Sequence, residues 1–186
     1  MKFLDLFTRI EKGNVGLTEE AVYKSIQLGN TRIPLWGGNQ QHASEDRFVD
    51  ELAKTKYGDR ITVFAGTGII ISLDGSAGCM TYKTGTERFS LNHHAGFFRL
   101  RDDARDKIDP EFFSVFCQKQ LQEAAVSEGS KTLSLEQIYE MEFAFPPLPI
   151  QLEIMARTSK LRQLRDGLNA MLEKMQSLTG KTIHHV

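Results

Sequence analysis

Near the carboxyl end, apolar residues recur at Leu161, Leu164, Leu168, Met171, Met175 and Leu178, in alternating steps of three and four. This is the a/d seam of a coiled coil, and Ile154 extends it one heptad upstream. Arg157 at one d position and Gly167 at one g position interrupt it, while Ile150 and Leu172 flank and widen it. The helix expected from Pro149 to Thr179, with Gly180 as its stop, is about 45 Å long at 1.5 Å per residue. A compact body of about 150 residues is roughly 40 Å across, so it could cover the helix only by lying along its full length. A narrow seam suits a partner helix better than a flat sheet. The chain carries one such helix, so the partner is another chain, most simply a second copy. An antiparallel pair would set two bodies at opposite ends of a two-fold axis. The other reading, a seam folded back on its own domain, stays open.

The residues upstream read as a mixed α+β body. Phe3, Leu6, Phe7 and Ile10 stand at helical spacing, and Thr18 caps a helix whose first turn holds Glu19 and Glu20. TRIPLW (31–36) reads as a strand whose Pro34 argues for a sheet edge. A helix is expected from Ser44 to Tyr57, ended by Gly58. RITVFA, GIIISL, CMTYK and AGFFRL read as strands, separated by glycine turns and by the polar run SLNHH (90–94). Asp109-Pro110 opens a helix to about Ser127 that buries Phe112, Phe113, Phe116 and Leu121, and the segment EGSK breaks it. Ser134 with Gln137 forms a capping box, and FAF (143–145) reads as a last strand before Pro146-Pro147.

Charge narrows the function classes. Residues 1–150 carry 17 basic and 21 acidic side chains, residues 151–186 carry 6 and 3. A nucleic-acid surface on the body is therefore a local patch. Cys79 and Cys117 match neither zinc spacing nor a disulfide framework, which fits a reducing compartment. The N-terminus has no signal-peptide pattern, and no apolar run is long enough to span a bilayer.

The chemical motifs fail in turn. Ser76 lies in G-S-A-G, not G-x-S-x-G. His93 and His94 would face opposite ways in a strand and could not both serve Ser76. A small hydrolase using Ser76 or Cys79 is the weaker alternative. Gly66-Thr67-Gly68 leads into a strand and opens no helix, so it is no nucleotide cradle. The histidines lack metal-ligand spacing, so no catalytic or metal site is expected. Asp74-Gly75 between two apolar runs reads as a hairpin turn, with Ser76, Ala77 and Gly78 small enough for close approach of another surface. Four polar clusters remain, containing Asn39, Gln40 and Gln41; Lys83 and Arg88; Asn92 and His93; and Lys131. Asn, Gln, Arg and Lys read base edges, and Ser, Thr and backbone amides hold phosphates. Solvated loops of no function are the plain alternative.

Taken together, W-G-G-N (36–39), G-I-I-I-S-L-D-G-S-A-G (68–78), G-S-K-T-L-S-L-E-Q-I (129–138) and P-P-L-x-x-Q-x-x-I (146–154) resemble the DNA-specificity subunits of type I restriction–modification systems. The likeness covers nearly the whole chain and half of such a subunit. It implies a target recognition domain with an antiparallel or mixed sheet and flanking helices over residues 1–147, a long coiled-coil helix over 148–180 and a tail over 181–186. It implies a non-catalytic, prokaryotic, cytoplasmic DNA-binding chain that holds no cofactor itself. S-adenosylmethionine would sit on partner methyltransferase subunits, and restriction subunits would cleave. Full-length members carry two recognition domains on two antiparallel helices, so a homodimer would restore the two-headed form and read a palindromic, interrupted site in double-stranded DNA. The DNA-facing set expected is Asn39, Gln40, Gln41, Ser76, Lys83, Arg88, Asn92, His93 and Lys131. The recognition chain of a different methyltransferase–nuclease system, and a coiled-coil scaffold without nucleic-acid role, also fit the residues.

Overall fold

The computed structural model describes residues 1–37, 47–128 and 130–182. The chain forms two compact units, Met1–Phe145 and Pro146–Val186. The first is α+β. Its strands are β1 (Glu11–Lys12), β2 (Ile33–Trp36), β3 (Phe48–Val49), β4 (Val63–Phe64), β5 (Gly68–Ser72), β6 (Met80–Lys83), β7 (Phe89–Leu91), β8 (Ala95–Phe98), β9 (Val126–Glu128) and β10 (Ser130–Thr132). Its helices are α1 (Glu19–Leu28), α2 (Pro110–Phe116), α3 (Gln118–Ala124) and α4 (Leu135–Glu140). An antiparallel sheet runs β1-β8-β5-β6, and a mixed sheet runs β3-β2-β7-β4, with β2 and β7 parallel. β9 and β10 form a separate hairpin.

Local chemistry sets the helix starts. The Thr18 hydroxyl accepts from the Ala21 amide, and the Asp109 carboxylate from the Phe112 amide. Ser134 and Gln137 exchange both bonds of a capping box. The core is aromatic: Phe3, Phe7, Phe98, Phe113 and Phe143 are all fully buried, and the Phe7 and Phe113 ring centroids are 4.5 Å apart. A second cluster gathers Phe64, Phe89 and Phe97, with Trp36 against it.

Several expectations change. The first ten residues hold only one 3-10 turn, Phe3–Asp5, although all four spaced apolar residues are buried. Pro34 is not on an edge, because β2 lies between β3 and β7. The Leu35 amide points to β3, where it meets the Arg47 carbonyl at 2.9 Å. Proline's missing donor therefore faces the other side, ahead of the β7 pairing that begins at Leu35. In place of a helix from Ser44 to Tyr57, the described part, from Arg47, holds β3 and turns. Asp50 competes with the helix there, since its carboxylate accepts from the amides of Leu52 and Thr31 and from the Thr31 hydroxyl.

The long helix after Asp109 is broken at Cys117 into α2 and α3, and Phe116 is 46% exposed, stacked on Phe112. The EGSK break is the β9–β10 hairpin. FAF forms no strand: one bridge pairs Lys2 with Glu142, and Met1 and Phe143 exchange two backbone bonds. The run at 90–94 starts inside β7, and Ser90 is fully buried, bonded to Asn14 and to the Thr62 carbonyl.

The second unit is one helix, α5 (Leu148–Thr182). It continues through Gly180, since glycine costs about 1 kcal/mol in a helix without forbidding it. Gln151 Nε2 donates to the Pro146 carbonyl at 2.7 Å, and Arg157 pairs with Glu153. Leu161, Leu164, Leu168, Met171 and Met175 are 57–66% exposed in the single chain. Ile154 is half-buried, and the Leu178 side chain lies outside the described residues. Among the described residues, no helix is long and apolar enough to cross a membrane.

Candidate nucleic-acid interface

Strand pairing decides which loops meet. β5 and β8 pair from Ile69–Phe98 to Ser72–Ala95. The turn leaving β5 and the turn entering β8 therefore emerge at one end of the sheet. β2 runs parallel to β7, with Trp36 beside Leu91, so the end of β2 arrives there too. The β9–β10 hairpin joins through a bridge between Asp74 and Thr132.

Backbone bonds tie these turns together. The Leu73 amide donates to the His94 carbonyl at 2.8 Å, and the Leu133 amide to the Leu73 carbonyl at 2.9 Å. The Gly75 amide reaches the Lys131 carbonyl at 2.9 Å, and the Asn92 amide the Trp36 carbonyl at 3.0 Å. The Asp-Gly-Ser-Ala-Gly stretch is a turn between β5 and β6. Gly75 and Gly78 hold φ of 71° and 84°, where a side chain is strained. A Cβ on Gly78 would stand 2.6 Å from the Gln122 nitrogen, so the surface this small-residue stretch admits is the backbone of α3.

Side chains add a second set of ties. His94 Nδ1 lies 2.9 Å from Asp74 Oδ2. Asn92 Oδ1 accepts from the His94 amide at 3.0 Å. The two histidines sit in a turn, so the strand expectation of opposite directions fails: their ring centroids are 3.6 Å apart. Partial loss of solvation, and then the neighbouring His94, push the pKa of the exposed His93 below the ordinary histidine value, and Asp74 opposes this. A cleft of about 920 Å³ lies alongside Asn92, His93 and His94, with Tyr23 and Ile26 of α1 and Arg47 on its other walls.

Four expected readers, Ser76, Asn92 and His93 on turns and Lys131 on β10, thus sit on segments that share hydrogen bonds. Ser76 is half-buried, and His93 and Lys131 are exposed. Lys83 and Arg88 stand apart and are already paired. Lys83 lies opposite Gly68, at the far end of β5. Its side chain is only 10% exposed, 2.7 Å from Glu87 and 5.3 Å from the centre of the Phe89 ring. Arg88 meets Glu51 at 2.5 Å. Asn39, Gln40 and Gln41 lie outside the described residues. Trp36 is half-buried against the second core, with its Nε1 buried and unpaired among the described residues.

The sequence pointed to His93 and left Asp74 as a turn former. The Asp74–His94 pair has no local signature, and only the β5–β8 register reveals it. Among the described residues, no hydrogen bond joins Ser76 or Cys79 to a histidine, and Cys79 Sγ accepts from Gln122 Nε2 at 3.0 Å.

A family model for the type I restriction modification DNA specificity domain matches residues 19–174. The fold is similar to that of the type I restriction-modification S subunit from M. genitalium, with TM-score 0.62 and 15% identity over 99% of this chain and 44% of that one. It is similar to a structure concerned with complex assembly and conformational transition of the type I R-M system, with TM-score 0.64 and 13% identity over 98% of this chain and 42% of that one. It also matches the HsdS subunit from Thermoanaerobacter tengcongensis, with TM-score 0.57 and 12% identity over 90% and 38% of the two chains. This chain spans less than half the length of each of these three. No curated protein sequence matches it.

Proposed function

Because this chain belongs to the family of type I restriction–modification DNA specificity domains, we propose that it is a non-catalytic reader of one half of a bipartite DNA site, working as half of a specificity subunit. The reading divides it into a recognition domain over 1–147, a spacer and dimerisation helix over 148–180 and a tail over 181–186. Methyltransferase subunits dock on it and bring S-adenosylmethionine; restriction subunits supply cleavage.

The observation that carries the reading is the convergence of Ser76, Asn92 and His93 on turns, and Lys131 on β10, through backbone hydrogen bonds at one sheet end. Rigid turns hold side chains in register with base edges at low ordering cost. The body is net acidic, so the chain alone binds DNA weakly, and tight binding needs the methyltransferase chains.

The exposed seam supports a homodimer. A parallel pair would bring Lys160 against Arg165 of the second copy, a g–e′ contact between like charges. An antiparallel register with Leu168 facing Met171 and Leu164 facing Met175 separates Lys160 from Arg165 and sets it near Lys181 of the second copy. Arg165 then meets Leu172, and Lys174 meets Gly167, of the second copy. Two heads related by a two-fold axis read a palindromic, interrupted site.

The test is a footprint on a randomised duplex library by the chain purified with methyltransferase subunits. Enrichment of a two-part symmetric site is expected. Protection without sequence preference sinks the reading.

A further inference from the structure

We propose that His94 reads a base edge and that Asp74 positions it, so that this turn selects an amino-bearing base, adenine or cytosine, over guanine and thymine. The proposal rests on the DNA reading above.

One contact orients the ring, and separate contacts anchor its backbone. Asp74 Oδ2 stands 2.9 Å from Nδ1. A carboxylate only accepts, so Nδ1 carries the proton, and in the neutral ring Nε2 is left as an acceptor. Among the described residues, Nε2 takes no hydrogen bond, and the side chain is 42% exposed. The backbone under the ring is anchored independently: the His94 amide donates to Asn92 Oδ1, and its carbonyl accepts from the Leu73 amide. Asp74 is itself held by the bridge to Thr132. The ring thus cannot turn without breaking the Asp74 contact, and the backbone beneath it is tied to Asn92 and to Leu73.

A fixed acceptor has definite partners in the major groove. Cytosine N4 and adenine N6 donate, whereas guanine N7 and O6 and thymine O4 only accept. The neutral Nε2 therefore accepts from the first pair and repels the second. Asp74 touches no base in this arrangement; it acts through His94.

The experiment selects duplexes with a randomised core at about pH 8, above the ordinary histidine range, with the chain and its methyltransferase subunits. Each position of the enriched site is then exchanged singly. In the wild type, one position holds adenine or cytosine. His94→Ala relaxes that position by about fivefold to tenfold, the effect of one hydrogen bond, and leaves other positions unchanged. Asp74→Ala matches it. Asp74→Asn keeps an acceptor for Nδ1 and restores the discrimination. Imidazole 15N spectra of the free protein show the Nδ1-protonated tautomer of His94 in the wild type and in Asp74→Asn, and its loss in Asp74→Ala.

Unchanged discrimination in His94→Ala and Asp74→Ala, beside a wild type that does enrich a site, overturns this assignment alone. So does a uniform fall in affinity at every position with a lowered Tm, which marks a structural role. A wild type that enriches no sequence overturns the DNA reading and this assignment with it.

Discussion

The Gly75 amide donates to the Lys131 carbonyl at 2.9 Å, joining the β5–β6 turn to a hairpin far along the chain. Neither residue's side chain makes this contact, yet it sets where the Ser76 and Lys131 side chains stand relative to each other. The proposed reading surface is built largely this way: backbone bonds place the turns, and the Asn92 and Asp74 side chains add ties at His94.

Gly78→Ala tests how tightly the turn is held. The substitution imposes a strained φ of 84° and drives a Cβ to 2.6 Å from the Gln122 nitrogen and 2.8 Å from the Leu121 carbonyl carbon. Gly85 has a similar φ of 86° with no atom within 4 Å of its Cβ position. Gly85→Ala should cost about 1–2 kcal/mol, the left-handed penalty alone. Gly78→Ala should cost clearly more. Equal losses in urea unfolding would mean that α3 does not constrain the turn.

Leu164→Glu with Leu168→Glu tests the seam. Both side chains are more than half exposed in the single chain, so the change should leave the first unit's melting intact. Under the proposed dimer, light scattering should report half the wild-type mass. A wild type that is already monomeric removes the dimer reading.

The two thiols should part company. Cys117 is buried, and loss of solvation pushes its pKa up to about 12. Cys79 is partly exposed. A thiol reagent at about pH 8, below the thiol range's upper end, should titrate one cysteine in the folded chain and two in urea. Two in the folded chain would contradict the burial.

His93 should make folding sensitive to mild acid. Its folded pKa lies below the ordinary 6.5, chiefly through partial loss of solvation. The unfolded chain then binds the proton more readily, so this contribution is full above 6.5 and declines as pH falls through 6.5 towards the folded value. The fall in Tm between about pH 7.5 and about pH 5 should shrink in His93→Gln. An unchanged profile would show that His93 titrates normally.

Phe113→Ala should cost about 3–5 kcal/mol, since the ring is fully buried and meets Phe7 at 4.5 Å and Phe143 at 5.0 Å. Urea midpoints measure it, and a loss near 1 kcal/mol would mean that the surrounding core collapses onto the space.

What the sequence could show was what is encoded within one turn of chain. Thr18, Asp109 and Ser134 cap their helices because each hydroxyl or carboxylate meets an amide three residues on. The heptad stripe is legible for the same reason, since its period is a property of one helix. Turn glycines at 75 and 78 are legible because a positive φ is a local demand. Pro34 inside a sheet, Ser90 at full burial and the Asp74–His94 pair were not, and neither was the broken helix at Cys117. Each depends on which strand or helix lies alongside, a matter of long-range register. Short-range bonds are written in neighbouring residues; the placement of distant turns is decided only when the sheets close and the buried rings choose their partners.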